Sequence, residues 1–389
     1  MKHGEMAAVI DLNEDVHTLL PLTEHRPIGT LPFAGRYRLI DFPLSAITAA
    51  DIHSVGLFMP ESERSVQDHI RSGAAWNLDL IQGGVFLFPY VATRDYQNDA
   101  LRERYYENYT QFLRGSGSRY TVVMGAKNVA NVNLNAILNY HKAGDNRITT
   151  VYKKLPLSRI RPSDWTLSLS EQGTASAIVQ AKERHDDTAK GEIPSFMEIY
   201  LLATTDLIDL LDDAAQSHEF RRLPELLRDY VLANNANAFE YTGYLARIDS
   251  IQRYYESNLQ MLDDASFQSL LLSSVPILTK SKNEVPSFFA KDATVVNSLL
   301  GTGTYIEGTV QDSVVFRNVV IHHDALVDHA VVMQGAKIST GSTVKYAILD
   351  KGVVIGPNLN IVGKPDKPIV LRKNQTVFRE SEVEGSANA

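Results

Sequence analysis

Short apolar segments alternate with amphipathic segments from the N-terminus to about residue 255. The apolar segments predict β-strands at residues 6–10, 55–59, 120–124, 148–153 and 198–203. Apolar residues at helical spacing predict α-helices at residues 43–50, 62–71, 105–113, 134–141, 205–213, 223–231 and 250–262. Strands that alternate with helices are typical of an α/β fold with a mixed, mostly parallel sheet covered on both faces.

A different period governs the C-terminal part of the chain. Aliphatic residues recur there at every sixth position, namely Val314, Val320, Leu326, Val332, Ile338 and Val344, and Ile348 and Val354 resume the step after an offset. A sandwich strand would show a period of about two and a helix a period of about 3.6. The six-residue period instead predicts a parallel β-helix, in which each hexapeptide forms one side of a coil and its aliphatic residue points inward.

The composition indicates a globular protein without special redox or membrane chemistry. The 389 residues are 44% hydrophobic and 22% charged, and the net charge of -8 argues against a nucleic-acid partner. The absence of cysteine excludes disulfides, thiolate catalysis and cysteine-bound metals. No apolar run is long enough for a transmembrane helix, and the N-terminus lacks a signal-peptide core, so we expect a cytoplasmic protein without a membrane partner.

The two periods divide the chain into four parts. We expect an α/β domain at residues 1–262, a connector at 263–290, a hexapeptide-repeat β-helix domain at 291–372 and a C-terminal tail at 373–389. The connector contains Pro276 and Pro286 and has no regular period. We therefore expect it to pack against both neighbouring domains.

The loop after the first predicted strand stands where α/β nucleotide-binding domains have their phosphate loop. Such a loop needs glycine, because its backbone N–H groups must approach the phosphates closely. This loop contains Asp11, Asn13, Glu14 and Asp15 and has no glycine. Its three carboxylates would repel a triphosphate. They could form a metal site, but a solvated loop is the interpretation that we favour.

Four further segments carry a family resemblance. They are TEHR at residues 23–26, PFAGRYRLIDF at 32–42, YYESNL at 254–259 and ILDK at 348–351. These segments resemble the ADP-glucose pyrophosphorylases, also called glucose-1-phosphate adenylyltransferases. The resemblance covers almost the whole chain and implies a Rossmann-like nucleotidyltransferase domain followed by a left-handed parallel β-helix of hexapeptide repeats.

The chain departs from that family at the positions that carry catalysis. By the resemblance, Asn13 lies in the place of the glycine-rich loop, and Ile28 replaces a lysine that neutralises phosphate charge. Ala126 and Arg247 stand where the family has its two metal-binding aspartates. Two-metal phosphoryl chemistry needs carboxylate ligands and charge compensation. The sequence therefore predicts an inactive chain that has lost the family's Mg²⁺ site and holds no cofactor.

This pattern resembles the noncatalytic regulatory partner subunit of two-gene bacterial systems. The resemblance implies binding to the catalytic subunit of glucose-1-phosphate adenylyltransferase, in a heterotetramer, and modulation of ADP-glucose synthesis for glycogen. One alternative is an active sugar-1-phosphate nucleotidyltransferase with a displaced metal site. Another is a hexapeptide acyltransferase, in which His322, His323 or His329 would serve as general base; surface histidines are the interpretation that we favour.

Four arginines are candidates for binding a phosphate or a sugar-phosphate effector: Arg26, Arg36, Arg38 and Arg184. In the catalysing relatives, a basic residue at the Arg36 position belongs to the sugar-phosphate effector site. Arg36 and Arg38 could equally alternate on a solvated strand face. A helical cluster of Tyr105, Tyr106 and Tyr109 favours core or interface packing over base stacking.

Overall fold

The computed structural model describes residues 4–60, 64–90, 99–144, 146–184, 191–217, 219–273 and 275–384. It contains an α/β domain built on a mixed sheet, followed by a parallel β-helix. This architecture confirms the fold class predicted from the two periods. The predicted helix at 62–71 and the predicted tail at 373–389 lie partly outside the described residues.

A large mixed sheet forms the centre of the α/β domain. The strands of this domain are β1 (Met6–Asp11), β2 (Pro32–Phe33), β3 (Tyr37–Arg38), β4 (Ser54–Pro60), β5 (Gly84–Tyr90), β6 (Tyr120–Met124), β7 (Asn128–Ala130), β8 (Ile148–Pro156), β9 (Trp165–Leu169), β10 (Ala175–Gln180), β11 (Glu192–Ala203), β12 (Asn237–Glu240) and β13 (Leu245–Arg247). The order across the sheet is β10-β9-β11-β6-β1-β4-β5, and β8 pairs with β11 and β12. Strands β6, β1, β4 and β5 are mutually parallel, whereas β11 runs antiparallel to its neighbours. The two-stranded pairs β2–β3 and β7–β13 lie outside this sheet.

Helices cover both faces of the sheet. They are α1 (Asp41–Ala49), α2 (Arg64–Ile70), α3 (Asp99–Ser116), α4 (Leu134–Ala143), α5 (Thr204–Gln216), α6 (Leu223–Ala233), α7 (Ile251–Leu259) and α8 (Asp264–Leu271). Successive residues of β1 belong to two different core clusters: Ala8 and Ile10 pack on one face, Ala7 and Val9 on the other. A central strand buried on both faces is therefore apolar at every position rather than at alternate positions.

Strands β5, β9, β10 and β12 were not predicted. Strands β9 and β10 form an antiparallel hairpin in which several positions are only half-buried. Their sequences, WTLSL and ASAIVQ, lack the continuous apolar run that marks a central strand. The helix α8 falls inside the segment that we predicted as an irregular connector, and Asp263 caps its N-terminus by accepting a hydrogen bond from the backbone N–H of Ser266 at 2.9 Å.

The β-helix consists of short strands that pair in parallel with the coil before and the coil after. They are β14 (Phe288–Phe289), β15 (Thr294–Val296), β16 (Leu299–Leu300), β17 (Tyr305–Ile306), β18 (Thr309–Gln311), β19 (Val314–Val315), β20 (Val320–Ile321), β21 (Leu326–Val332), β22 (Lys337–Ile338), β23 (Thr343–Leu349), β24 (Val354–Ile355), β25 (Asn360–Val362), β26 (Ile369–Leu371) and β27 (Thr376–Val377). A short helix, α9 (Ser381–Glu384), follows them. The coils share one aliphatic core that runs along the axis.

The inward-pointing residues correct the predicted phase of the repeat. Val332, Ile338 and Val344 lie in the β-helix core as predicted, but Val320 and Leu326 are only half-buried. The residues after them, Ile321 and Val327, are fully buried in that core instead. One side of each coil advances by five residues rather than six, as from Val327 to Val332. A prediction that steps strictly by six residues therefore falls one position out of register with the inward-pointing residues in each coil.

Val314 and Ile348 are buried outside the β-helix core, in a cluster that joins the two domains. This cluster also contains Phe33, Tyr254 and Met333. Residues on the outer face of three successive coils thus act as core for the α/β domain. Among the described helices, none combines the length and the apolar character that crossing a bilayer would require.

Candidate functional site

A cavity of about 300 Å³ lies at the carboxyl end of strands β1 and β6. The loop at 11–15, the end of β6, strand β11 and the N-terminal turn of α6 form its walls. Ligands of open α/β sheets bind at this edge, where parallel strands end and their connections diverge. The cavity is therefore the place in the fold where the missing phosphate loop would have acted.

The acidic loop turns into this cavity, which contradicts the prediction of a solvated loop for Asp11 and Glu14. Asp11 is 5% exposed, and one oxygen of its carboxylate accepts the backbone N–H of Asn13 at 2.8 Å. The Glu14 carboxylate accepts the backbone N–H of Lys127 at 3.1 Å, whereas Asp15 is exposed. The Glu14 side chain packs closely over the end of β6, where a Cβ at Gly125 would come within 2.9 Å of Glu14 Oε1.

Burial makes both inward carboxylates harder to ionise. Desolvation raises the pKa of Asp11 to about 6 and that of Glu14 to about 7. The pKa of Glu14 is raised further by the negative charges of Asp11 and Glu198, and the nearby cation Lys127 only partly opposes these effects. The loop therefore brings poorly compensated negative charge to the cavity.

Glu198 is the centre of a cationic cluster on the opposite side of the site. Its carboxylate lies 2.7 Å from Lys127 Nζ, 3.2 Å from Arg228 Nη1 and 3.3 Å from Arg247 Nη2. These cations, Lys127 and Arg247 foremost, outweigh the cost of burial and lower the pKa of Glu198 to about 2. Glu198 also adopts a left-handed backbone with φ of 53°, in an irregularity of β11 between Phe196 and Tyr200.

Further ion pairs fix Arg247 from its other side. Its guanidinium lies 3.3 Å from Asp249, and Asp249 is also 3.1 Å from Arg253. Arg253 in turn pairs with buried Asp164 at 2.5 Å. Asp249, two residues after Arg247 in the sequence, is thus paired with two guanidinium groups.

The four positions at which the resemblance predicts a loss of the family pattern do not all face the cavity. Asn13 lines it, and Arg247 lies directly behind Glu198. Ile28 is 2% exposed and packs in the cluster between the domains. Ala126 is fully buried in the sheet core. Its Cβ lies so close to Gly29 that a Cβ added at Gly29 would be 3.0 Å away. Ile28 and Ala126 therefore pack in apolar cores, at positions to which the resemblance assigns a lysine and a metal-binding aspartate.

Sequence reasoning missed Glu198, Lys127 and Arg228. Glu198 falls inside an otherwise apolar strand, and a charged residue in such a strand is a signal that could have identified it. Lys127 follows β6 and Arg228 lies on α6, so only the fold brings them together.

A second cavity, of about 370 Å³, lies between the α/β domain and the β-helix. We call it the basic cleft, because seven cationic residues line it: Arg36, Arg38, Arg71, Lys280, Lys282, Arg317 and Lys351. Asp68 is the acidic residue among its lining residues, and His69 is there too. The hairpin β2–β3, helix α2, the connector and three successive β-helix coils all contribute to it.

The cations of the basic cleft disfavour one another's charge. Burial and the charges of Arg38, Arg26 and Arg317 lower the pKa of Lys351 to about 7. Burial likewise lowers the pKa of Arg38 to about 10, although Asp41 opposes this shift. The pKa values of Lys280 and Lys282 are also lowered. Such a cleft is preorganised for a ligand that carries several negative charges.

Two of the four candidate arginines line the basic cleft and two do not. Arg36 is exposed and Arg38 half-buried, and both face the cleft. Arg26 is 6% exposed; it forms an ion pair with Asp350 of the β-helix and donates to the Leu22 carbonyl at 2.7 Å. Arg184 follows β10 and donates to the Leu167 carbonyl at 3.5 Å. Arg26 thus joins the domains, and binding of an anion by Arg36, Arg38 or Arg184 stays a prediction.

The β-helix histidines lie in polar pairs on its outer surface. His322 and His323 lie 3.2 Å and 3.3 Å from the carboxylate of Glu307. His329 pairs with Asp328, whose second oxygen lies 2.7 Å from Lys345 Nζ. Among the described residues, Asp312, Asp328 and His329 are the group close enough to share a metal ion, and the acidic loop forms no such group. The ammonium of Lys345 already neutralises Asp328.

The tyrosine cluster packs in the core, which agrees with the packing interpretation. Tyr105, Tyr106 and Tyr109 are each at most 4% exposed and belong to the core between α3, α5 and the sheet. The ring of Tyr109 stacks on Phe58 with centroids 3.7 Å apart. The hydroxyl of Tyr106 donates to the Arg221 carbonyl at 2.7 Å.

Comparison with known proteins places this geometry among related chains. A nucleotidyl transferase family model matches residues 17–159, and a GlmU-like C-terminal hexapeptide model matches residues 285–380. The chain is 31% identical over 375 residues to the glycogen biosynthesis protein GlgD of Geobacillus stearothermophilus, covering 95% of this chain and 97% of the relative. It is 29% identical over 373 residues to GlgD of Bacillus subtilis (strain 168), with 96% and 97% covered. It is 27% identical over 354 residues to the glucose-1-phosphate adenylyltransferase of Bacillus cytotoxicus, with 87% and 89% covered.

Proposed function

We propose a function from the premise that this chain belongs to the family of the glycogen biosynthesis protein GlgD, which is related to ADP-glucose pyrophosphorylase. Its role lies in glycogen biosynthesis. The chain is a noncatalytic, cytoplasmic regulatory subunit of glucose-1-phosphate adenylyltransferase. It binds the catalytic subunit in a heterotetramer and modulates ADP-glucose synthesis there.

The pairing of Glu198 with Lys127, Arg228 and Arg247 is the observation that carries the noncatalytic part of this proposal. A metal ion in a phosphoryl-transfer site needs carboxylate oxygens that are available for coordination. Here the buried carboxylate of Glu198 is engaged by three cations at 2.7–3.3 Å. The inward acidic loop adds negative charge where the phosphates of ATP would have to lie. Both features oppose the binding of a Mg²⁺–triphosphate complex.

The basic cleft supports the regulatory part of the proposal. It is lined by residues of both domains, so an anion held there would contact the α/β domain and the β-helix at once. A sugar phosphate with two anionic groups fits a cleft of this charge. Such an effector regulates the partner only if it stabilises one arrangement of the subunits more than another.

The first coil of the β-helix supports the partner-binding part. Strands β14, β15 and β16 pair with the next coil on one side, and no described strand pairs with their outer edges. Phe288 and Phe289 are 51% and 49% exposed there, and the Phe288 ring stacks on Tyr305 with centroids 4.8 Å apart. Edges that expose unpaired backbone groups and apolar rings are suited to pairing with another chain. The β-helix of the catalytic subunit is the partner that we infer.

Mixing experiments test the proposal. The chain alone should synthesise no ADP-glucose from ATP and glucose 1-phosphate with Mg²⁺. Adding it to the purified catalytic subunit should produce a complex that elutes as a heterotetramer, with an altered kcat or an altered response to fructose 1,6-bisphosphate. Mg²⁺-dependent turnover by the chain alone would contradict the noncatalytic assignment, and unchanged partner kinetics in a proven complex would contradict the regulatory one.

A further inference from the structure

The cavity behind the acidic loop retains the features of a binding site, although it does not suit a nucleotide. Three buried polar atoms that line it have no hydrogen-bond partner in the described part of the chain: Glu14 Oε2, Asn13 Nδ2 and the Tyr200 hydroxyl. Tyr200 is 2% exposed, so bulk water does not compensate its hydroxyl. Buried polar atoms without partners are costly, and their concentration around one cavity indicates a missing ligand.

Most positive groups at the cavity are already paired with a carboxylate. Lys127 and Arg228 line it, Arg247 lies behind Glu198, and all three lie within 3.3 Å of the Glu198 carboxylate. Arg222, the remaining cation in its lining, acts on Asp11 and partly offsets the rise of its pKa. The Arg228 guanidinium also lies over the Trp165 ring, 4.3 Å from its centroid, and so covers a face on which a nucleobase would stack. If these cations bound a phosphate, they would lose their ion pairs with Glu198, and this buried carboxylate would be left without partners.

The unsatisfied acceptors instead favour a positive ligand. Asp11 and Glu14 both face the cavity and repel each other, and burial raises the pKa of each. A primary ammonium group has three N–H donors and can donate to both carboxylates at once. Charge-assisted hydrogen bonds of this kind are among the stronger ones in proteins.

The remaining walls of the cavity indicate what should follow the ammonium group. Val123, Leu227 and the ring of Trp165 line the cavity together with the two acids. An alkyl chain can cover such surface, whereas a hydrated metal ion cannot. We propose that this cavity binds an aliphatic primary amine, with its ammonium group held between Asp11 and Glu14 and its methylene chain against Val123 and Leu227.

Isothermal titration calorimetry of the full chain with 1,4-diaminobutane tests this proposal. At pH 7 we expect saturable one-site binding, with no binding of 1,4-butanediol, which has the same length and no charge. Because the carboxylates are partly protonated when the cavity is empty, binding should release protons. The measured enthalpy should therefore change with the ionisation enthalpy of the buffer. No binding, or equal binding of diol and diamine, would overturn the proposal.

Matched variants locate the site. Glu14→Gln and Asp11→Asn keep the size of the side chain and should each weaken diamine binding at least about tenfold. Asp51→Asn changes a carboxylate that is 90% exposed and lies outside the cavity lining, and it should leave binding unchanged. Far-UV circular dichroism and thermal unfolding establish that each variant is folded. Unchanged affinity in both cavity variants, or displacement of the amine by Mg²⁺ alone at stoichiometric concentration, would overturn the assignment. These results concern the chain without its partner, so they stand apart from the mixing experiments.

Discussion

Arg247 Nη2 lies 3.3 Å from Glu198 Oε2, beside the cavity at the carboxyl end of the central strands. The protein thus supplies a cation to a buried carboxylate. A guanidinium group has five N–H donors in a planar arrangement that matches a carboxylate. The pair therefore compensates the buried charge of Glu198 from within the chain.

The Arg247–Glu198 pair should contribute most to the free energy of unfolding at neutral pH. The pKa of Glu198 is lowered from 4.5 to about 2, so its contribution to stability is complete above about pH 4.5 and is lost as the pH falls toward 2. We expect Arg247→Met to lower the free energy of unfolding by about 1–3 kcal/mol at pH 7, and by less at pH 4. Urea denaturation at both pH values measures this.

The exposed residue Arg64 offers a control for that experiment. Arg64→Met should change stability by less than about 0.5 kcal/mol, because its side chain is 89% exposed. The double variant Arg247→Met with Glu198→Gln should lose less than the sum of the two single changes, since both changes remove the same ion pair. Additive losses would contradict a coupling between the two residues.

The ion pair between Arg26 and Asp350 should hold the two domains together. The side chains are 6% and 2% exposed, and removal of one partner leaves a buried charge. Arg26→Met should therefore lower the free energy of unfolding by about 3–5 kcal/mol. Replacing both residues, Arg26→Met with Asp350→Leu, should cost less than the single change. Additive losses by chemical denaturation would exclude this coupling.

Anion binding in the basic cleft should weaken as the pH rises above neutrality. Lys351, with its pKa lowered to about 7, is largely neutral at pH 8.5 when the cleft is empty. An anion must then recruit a proton, so affinity for fructose 1,6-bisphosphate should fall by about tenfold between pH 6.5 and 8.5. Calorimetric titration across this range measures the dependence.

Two substitutions separate Lys351 from the other cations of the cleft. Lys351→Met should weaken binding at pH 6.5 and flatten its pH dependence. Lys351→Arg keeps the charge over the whole range, so binding should persist and the pH dependence should largely disappear. A pH profile that is the same in all three proteins would assign the effect to another group.

Glu14→Gln should stabilise the protein, more at high pH than at low pH. The folded-state pKa of Glu14 is raised from 4.5 to about 7, so ionising Glu14 costs stability progressively as the pH rises between those values. We expect a gain of about 1–3 kcal/mol at pH 8 and little change at pH 4.5, from urea denaturation. Asp15→Asn is the control in the same loop. A gain that does not depend on pH would contradict this origin.

The open first coil should be needed for assembly. Phe288→Glu adds a charge to the exposed edge and should weaken association with the catalytic subunit at least about tenfold, measured by sedimentation velocity. Phe378→Glu changes a phenylalanine that is 65% exposed beside the last coil, and it should have no effect. Equal weakening by both variants would indicate that the first coil is not the interface.

The sequence identified the elements that its own periodicity encodes. The apolar runs predicted the central strands, and the six-residue step predicted the β-helix, because both reflect local burial that repeats along the chain. The sequence did not show which of two adjacent aliphatic residues points inward. Val320 and Ile321 have similar hydrophobicity, and Ile321 lies in the core because one side of each coil has five residues instead of six. The predicted domain boundaries remain predictions.

The loss of the family pattern at Asn13, Ile28, Ala126 and Arg247 stays a prediction, which rests on residue identity at each position. The surroundings of these positions were decided by tertiary structure. Glu198, Lys127, Arg228 and Arg247 come from segments far apart in the chain, and the fold brings each of the three cations within 3.3 Å of the Glu198 carboxylate. The same holds for the acidic loop, because its burial against β6 and β11 raises the pKa of Glu14. Residue identity sets which charges a chain carries, whereas their burial and their partners depend on contacts between distant segments.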